Sequence, residues 1–255
     1  MSHGKKTALG LILPVSILLL WHLATTYTDV PQSILPSLES VWRGFLELAE
    51  SGQLWTDLSI SLMRVVKGFL LAGGAGVLIG ALMGMMPIFR AMLSPMLTAL
   101  RQIPMIAWTP LVILWFGIGE KSKVVMIFIA AFFPVLLNTY NGITSTPEHF
   151  LEVAALYRMG PWRTFFRVCC PHALPQILVG LKLGLSISWM SLIAAELIAG
   201  TSGIGYRMSN ARALIHSNVV IVCMVVIGLV GVLMDRGVTL LFRALTPWEK
   251  GGGRE

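Results

Sequence analysis

The sequence predicts an all-α integral membrane protein with six transmembrane helices. Of its 255 residues, 56% are hydrophobic and only 12% are charged, against about 25% charged residues in a typical soluble protein. Apolar stretches also recur along the chain, and about 20 such residues cross a bilayer as a helix. This composition excludes an ordinary soluble domain, a disordered chain and a collagen-like chain. We expect residues 1–255 to form one transmembrane domain.

Six apolar segments give the expected membrane helices. They are Ala8–Thr26, Val65–Met86, Met105–Ile118, Val124–Asn141, Leu174–Ala199 and Val219–Leu241. Lys5 and Lys6 precede the first segment, but no small-residue cleavage site follows it, so we predict a retained helix rather than a removed signal peptide. The third segment is short for a crossing. Pro104 and Pro110 predict that it continues irregularly from an upstream helix near Met92–Leu100.

Three connections between these segments are too long to be simple turns. Val30–Arg64 contains an amphipathic stretch, Leu38–Ala49, whose apolar residues recur at helical spacing. This pattern predicts a helix lying at the membrane surface. Gly142–Ala173 is the most polar of the long connections, and Thr201–Asn218 is the third.

The distribution of Lys and Arg sets the expected orientation. The chain carries 19 Lys and Arg against 12 Asp and Glu, a net charge of +7. Placing the N-terminus in the cytoplasm puts the larger share of these cations on the inner side, as the positive-inside rule requires. We therefore expect both termini in the cytoplasm, with residues 1–7 as a short cytoplasmic segment and the glycine-rich end at 249–255 as a disordered tail. No basic stripe interleaved with aromatic residues is visible, so we expect no nucleic-acid partner.

The connection Gly142–Ala173, cytoplasmic in this orientation, carries the clearest mechanical pattern. A short helix includes Glu152, the Gly160–Pro161 pair breaks it, and a second amphipathic helix follows. Pro171 and Pro175 are expected to set the entry into the next span. A helix–break–helix unit outside the membrane can dock into a groove of a soluble partner and transmit a rigid-body motion. The alternative is a connection that lies on the membrane surface without a partner.

This loop resembles the EAA coupling loop of binding-protein-dependent ABC importer permeases. Glu152 and Ala154 match the glutamate and the second alanine of that pattern, and Pro171 falls at the expected distance. Val153 replaces the first alanine. Arg158 stands at the usual glycine, and the nearest glycine follows two residues later. The pattern therefore leaves open which residue of the turn adopts a positive φ.

Further segments resemble the nitrate/sulfonate/taurine subgroup of these permeases. They are Ile34–Ser37, Arg101–Leu111, Leu114–Gly119, Ala194–Ile198 and Ser202–Tyr206. The resemblance implies the fold of a type I ABC importer permease with a cytoplasmic coupling helix. It also implies that the contact with the ATPase is made by ten consecutive residues: Glu152, Val153, Ala154, Ala155, Leu156, Tyr157, Arg158, Met159, Gly160 and Pro161.

The resemblance further implies an ATP-driven importer in the inner (cytoplasmic) membrane. The expected partners are two ABC ATPase subunits, a second permease copy that makes a homodimer, an extracytoplasmic substrate-binding protein, and membrane lipid. The chain itself is then not an enzyme and holds no cofactor or metal, because ATP and Mg²⁺ bind on the partner ATPase. The sequence agrees with this, since it lacks a G-x-x-x-x-G-K-[ST] phosphate loop and any metal-ligand or catalytic-triad spacing.

The subgroup implies a small oxyanion as the substrate, with sulfonates such as taurine first and nitrate second. Permeases of this class also import other small molecules, such as pyrimidine vitamin precursors, and this alternative stays open. A stand-alone secondary transporter is the other alternative. It would need inverted repeats and paired broken helices at the membrane midplane, and no such internal symmetry is visible in the sequence.

Polar and bulky residues near the expected bends are candidates for the translocation path and its gate. They are Arg101, Pro104, Trp108, Asn138, Ser188, Trp189, Ser191 and Glu196. The Arg101 guanidinium can bind an oxyanion in transit, or it can hold its helix to lipid headgroups or to a backbone carbonyl. Ser188 and Ser191 share one helix face. Trp189, beside them, has the bulk to close a passage.

Other residues within the spans also carry expectations. For Glu196, near the outer interface, we predict an ion pair with Arg207 or Arg212, or a role in capping a gate. Lys182 is expected to extend its ammonium group to the inner interface. A ladder of small residues on the second span predicts close helix packing, either within one subunit, which we favour, or at a gating interface. The ladder consists of Ala72, Gly76, Gly80 and Gly84.

Overall fold

The computed structural model describes residues 3–245, with side chains for residues 12–244, and the regular secondary structure of this range is entirely helical. The helices are α1 (His3–Tyr27), α2 (Leu38–Glu50), α3 (Gln53–Met85), α4 (Pro87–Arg101), α5 (Thr109–Phe116), α6 (Glu120–Thr144), α7 (Glu148–Leu156), α8 (Pro161–Thr164), α9 (Cys170–Ala199), α10 (Ile204–Ala213) and α11 (Ser217–Leu245). A 3₁₀ turn, Met105–Trp108, joins α4 to α5, and a π-helical segment, Phe165–Cys169, joins α8 to α9. The tail expected at 249–255 lies outside the described residues.

Four helical stretches of the described chain are long and apolar enough to cross a membrane. They are α3, α6, the continuous helix Pro161–Ala199, and α11. The bent pair of α4 with Met105–Phe116 gives a fifth crossing if it counts as one span, and its two parts meet at 94°. The apolar part of α1 whose side chains are described, Ile12–Tyr27, is shorter. The all-helical membrane fold is confirmed, and the count of six crossings stays a prediction.

The second span begins earlier than hydropathy indicates. α3 starts at Gln53 rather than at Val65. Its first turns carry Asp57, Ser61 and Arg64, which are buried and hydrogen-bonded to the C-terminal part of α9 or to the segment that leads into α10. Because these polar groups find partners inside the protein, the helix continues through a stretch that hydropathy alone assigns to a loop.

The span that follows the connection 142–173 is also longer than expected. One helix runs from Pro161 to Ala199, so that Pro171 and Pro175, which we expect to set the entry into this span, lie within the helix. The π-helical segment directly precedes Pro171, and its wider turn accommodates the ring and the missing N–H of that proline. The break in the loop is therefore confined to the residues before Pro161.

α6 lies between α3 and α9, and small residues allow both close approaches. A Cβ atom added at Gly80 of α3 would lie 2.6 Å from the Leu136 carbonyl oxygen of α6. A Cβ added at Gly180 of α9 would lie 2.6 Å from the Asn138 Cβ of α6. Neither position has room for a side chain. The small-residue ladder of α3 is thus a packing surface within one subunit, which confirms the reading we favoured.

The amphipathic helix α2 packs against the start of α11. Its buried residues Gly44 and Leu48 face α11 near Val222, while Trp42 on the other side is exposed. The Ser37 hydroxyl oxygen caps the helix by accepting a hydrogen bond from the Ser40 N–H at 3.2 Å.

Candidate functional site

The loop expected to contact an ATPase consists of α7, a tight turn and α8. At the end of α7 the Arg158 N–H donates to the Ala155 carbonyl oxygen (2.8 Å), and the Met159 N–H donates to the Ala154 carbonyl oxygen (3.0 Å). This pair of bonds is the Schellman motif, which requires a left-handed residue after the helix. Arg158 provides it with φ +49°, whereas Gly160 has φ −67°. The residue at the usual glycine position therefore makes the left-handed turn in spite of its side chain.

One face of α7 is apolar and uncovered. Leu156 is 82% exposed and Tyr157 79% exposed, and Val153 lies exposed one turn earlier. Ala154 on the other face is buried against the protein. Glu152, beside the apolar face, is exposed and forms no ion pair with any residue that the structure describes. Contiguous exposed apolar groups of this kind mark a surface that contacts a protein partner or a membrane.

The bend between α4 and α5 opens onto a cavity of about 280 Å³. Three of the predicted path residues, Arg101, Pro104 and Trp108, line it together with apolar side chains of α6 and α9. The Arg101 side chain is exposed and has no hydrogen bond or ion pair within the described part of the chain. The structure thus brings a free guanidinium to an otherwise largely apolar cleft within the membrane-spanning helices.

The remaining path candidates on α6 and α9 lie outside this cavity. The Asn138 amide nitrogen donates to the Pro134 carbonyl oxygen, and its amide oxygen accepts from the Gln176 Nε2, both at 2.8 Å. Ser188 and Ser191 are buried. No hydrogen-bond partner is found for the Ser188 hydroxyl among the described residues.

Trp189 does not stand in the bend cavity as a closing group. It is buried between α9 and α11, and its indole N–H donates to the Ile227 carbonyl oxygen at 3.1 Å. Its ring also lies against Gly231 of α11. The side chain thus points towards α11 rather than towards the α4–α5 bend, and the gate role expected of its bulk stays a prediction.

A buried ion-pair cluster connects α3, α6 and α9. The Arg64 Nη1 donates to Glu196 at 2.6 Å, and the Arg64 Nε donates to Glu120 at 2.9 Å. The Nη1 also donates to the carbonyl oxygen of Ser202 at 2.8 Å, and the Nη2 donates to the Ser202 hydroxyl at 2.7 Å and to Glu120, so all five N–H groups of the guanidinium have acceptors. Glu196 and Arg64 are both buried.

Glu196 thus has a different partner from the two that the sequence suggested. Arg207 instead binds Asp57 of α3, and the Arg212 guanidinium contacts Ser209 on its own helix. The physical reason is geometric: Arg64 approaches the carboxylate of Glu196 from across the α3–α9 interface. Sequence reasoning did not single out Arg64, because it sits in a segment assigned to a loop.

Two separate sequence motifs form one unit around Glu196. The Gly205 N–H donates to the Glu196 Oε2 at 2.9 Å, and the Ser61 hydroxyl donates to the same carboxylate at 2.9 Å. A Cβ at Gly203 would overlap the Glu196 carboxylate, and its φ of +101° is a conformation that favours glycine. The Ser202–Tyr206 motif therefore wraps the glutamate of the Ala194–Ile198 motif.

Comparison with known proteins now decides the family. Residues 76–247 match the binding-protein-dependent transport system inner membrane component. The chain belongs to this family. This permease is 40% identical, over 94% of its length and 87% of the relative, to the putative aliphatic sulfonates transport permease protein SsuC of Bacillus subtilis. It is 34% identical, over 92% of its length and 87% of the relative, to the taurine transport system permease protein TauC of Escherichia coli.

The fold comparison agrees with the family. A chain from a crystal structure of an amino acid ABC transporter aligns over 78% of the permease and 98% of its own length, with a TM-score of 0.67 at 16% identity. The likeness shows the shared fold, and the family match identifies the permease as an inner-membrane component of a binding-protein-dependent transport system. This assignment sets aside the alternative of a stand-alone secondary transporter.

Proposed function

We propose that this permease moves a small oxyanion, with sulfonates such as taurine first and nitrate second, out of a binding protein and across the inner membrane. The observation that carries the proposal is the unpaired Arg101 guanidinium in the bend cavity. A guanidinium presents several N–H donors in the planar geometry that suits sulfonate, nitrate or carboxylate oxygens. Sulfonate and taurine permeases among the relatives support the same substrate class.

The rest of the cavity suits passage rather than tight binding. Its other lining residues include Ile103, Met105, Ile129 and Phe133, which offer no charge to the substrate. A path of this kind lets an anion enter through one strong contact and leave again, because only one cationic group in the cavity binds the anion. Selectivity then resides mainly in the extracytoplasmic binding protein.

The coupling loop supplies the link to ATP. In this proposal two permease copies form a homodimer, and two ATPase subunits dock on the exposed face around Leu156 and Tyr157. ATP and Mg²⁺ bind on those ATPases, and the binding protein docks on the opposite side, with both permease termini in the cytoplasm. Since α8 and α9 form one continuous helix from Pro161, a pull on the loop moves the helix that packs against the bend cavity. The transition is a rigid-body rocking of helices.

The substrate proposal is tested by removing the charge at position 101. Arg101→Gln should lower ATP-driven taurine uptake in proteoliposomes about tenfold or more, because a hydrogen bond to a charged group contributes about 1.5–3 kcal/mol. Arg90→Gln is the matched control, because Arg90 lies on the same helix outside the cavity and its guanidinium stacks over Tyr140. Uptake by Arg101→Gln at the wild-type rate, or ATP-driven uptake of a neutral pyrimidine in place of taurine and nitrate, would refute the oxyanion assignment.

A further inference from the structure

A groove between α9 and α11 combines charged groups with apolar walls. It encloses about 320 Å³, and its charged lining residues are Lys182, Asp235 and Arg236. None of the residues assigned above to the coupling loop, the bend cavity or the Arg64 cluster lines it, although Trp189 does. The groove therefore needs its own explanation.

The charges in the groove do not balance. The Lys182 Nζ lies 3.1 Å from the Asp235 Oδ1 in an ion pair whose side chains are 36% and 45% exposed. Arg236 is exposed and has no hydrogen bond or ion pair within the described residues. One pair and one free guanidinium leave the groove with a surplus positive charge. An anion next to Arg236 and Lys182 would remove that surplus.

Helix geometry places these charges at one boundary of the hydrocarbon layer. α9 ends at Ala199 and α11 begins at Ser217, with α10 between them, so these two ends lie on the same side of the membrane. At 1.5 Å of rise per residue, Lys182 lies about 26 Å from Ala199, and Asp235 lies about 27 Å from Ser217. The hydrocarbon layer is about 30 Å thick. With Ala199 and Ser217 taken as one boundary of that layer, the charges lie within one helical turn of the opposite boundary, close to the lipid phosphates.

We infer that this groove binds the phosphate headgroup of an anionic phospholipid from the inner leaflet. The Arg236 guanidinium and the Lys182 ammonium donate to the phosphate, and the Lys182 ammonium keeps Asp235 as its neighbour. One acyl chain follows the apolar wall that Leu185 and Val232 provide. Basic pockets between membrane helices on the cytoplasmic side are suited to such headgroups. The leaflet rests on the proposed orientation, in which this boundary is the cytoplasmic one.

Such a lipid would bridge two helices with different roles. α9 continues from the coupling loop without a break, whereas α11 packs against α2. A headgroup bound to Lys182 of α9 and Arg236 of α11 resists their separation. Anionic lipid is then a regulator of how far the coupling helix moves relative to α11.

The test measures lipid binding to the intact purified permease. The permease is mixed with phosphatidylglycerol or phosphatidylcholine, and native mass spectrometry detects the bound lipid. Wild type should retain phosphatidylglycerol preferentially. Arg236→Gln should weaken that binding about fivefold, the effect of one cation near an anionic lipid. Arg243→Gln is the matched control, because Arg243 is exposed on the same helix and outside the groove. Equal binding by both variants and wild type would overturn the proposal.

Two further arms separate the site from its alternatives. Asp235→Asn removes the competing negative charge and should bind phosphatidylglycerol at least as tightly as wild type. Loss of binding would contradict the proposal, because it would show that the intact Lys182–Asp235 pair, and not the surplus positive charge, is what binding requires. Millimolar inorganic phosphate or taurine should not displace the lipid, and displacement by either would assign the groove to a free oxyanion instead. Because this assay needs neither ATP nor a binding protein, its failure and a failure of the transport proposal are distinguishable.

Discussion

Arg64 binds two carboxylates, one buried and one exposed. Neutralising each carboxylate in turn compares a buried and an exposed negative charge against the same guanidinium. The Glu196 side chain is 0% exposed and the Glu120 side chain 61% exposed. Glu196→Gln keeps the volume of the side chain and removes its charge. Glu120→Gln makes the same chemical change at the surface and is the matched control.

The expected magnitudes differ several-fold. Glu196 accepts hydrogen bonds from Arg64 at 2.6 Å, from Ser61 at 2.9 Å and from the Gly205 N–H at 2.9 Å. Breaking a buried pair costs about 3–5 kcal/mol. The glutamine oxygen still accepts some of these bonds, so we expect a loss of about 2–4 kcal/mol in the free energy of unfolding. In the pair with Glu120 only the carboxylate is exposed. Since water can take the place of that carboxylate, the expected loss for Glu120→Gln is about 0–1 kcal/mol.

Thermal unfolding of the purified permease in one detergent measures both changes, with tryptophan fluorescence as the signal. At about 2–4 °C per kcal/mol for a chain of this size, Glu196→Gln should lower the Tm by about 5–15 °C and Glu120→Gln by at most about 4 °C. Equal shifts, or a larger shift for Glu120→Gln, would refute the reasoning, because burial would then not determine the strength of the pair.

Other predictions concern the turn, the helix packing and the orientation. Arg158→Gly should stabilise the coupling loop by about 1 kcal/mol, because glycine adopts a left-handed φ without a Cβ penalty; cleavage of the loop by protease should slow, and faster cleavage would contradict this. Gly80→Ala should lower the Tm because overpacking costs about 1–3 kcal/mol, whereas Gly74→Ala, with open space around its Cβ, should not; equal effects would contradict the packing. A cysteine at Ser145 should react only with reagents that enter the cytoplasm and one at Ser51 only from outside, and the reverse pattern would invert the orientation.

Features that depend on local pattern could be predicted from the sequence. Hydrophobic composition predicts the membrane fold, and the spacing of Gly80 with its neighbours predicts one packed helix face. The prolines near Pro104 predict the bend that the structure shows between α4 and α5. The Gly160–Pro161 pair likewise predicts the break that the structure shows between α7 and α8. Each of these is set by backbone chemistry within a few residues of the feature.

Features that depend on distant partners could not be predicted in this way. Arg64 and Glu196 are 132 residues apart in the chain, and hydropathy reads the segment before Val65 as a loop because it counts polar residues without knowing their partners. The side chain of Trp189 could point towards a passage or towards a neighbouring helix, and only the position of α11 decides between them. The sequence does single out the segment that contains Gly203, because it resembles a segment of known permeases. Its contact with Glu196 is visible only in the folded structure.

The central claim is that the α7 loop couples ATP hydrolysis on a partner to transport through this permease. The most direct measurement is taurine uptake into proteoliposomes that contain the permease, its ATPase and its binding protein, comparing Glu152→Lys with Glu148→Lys. Both residues are exposed on α7 and, being four apart, lie on nearly the same face. The two charge reversals differ in position along the helix, since Glu148 lies in the first turn, about 6 Å from Glu152 and farther from the turn at Arg158. We predict that Glu152→Lys abolishes ATP-driven uptake while the permease stays folded, and that Glu148→Lys retains it. Wild-type uptake by Glu152→Lys with the ATPase still bound would contradict the claim.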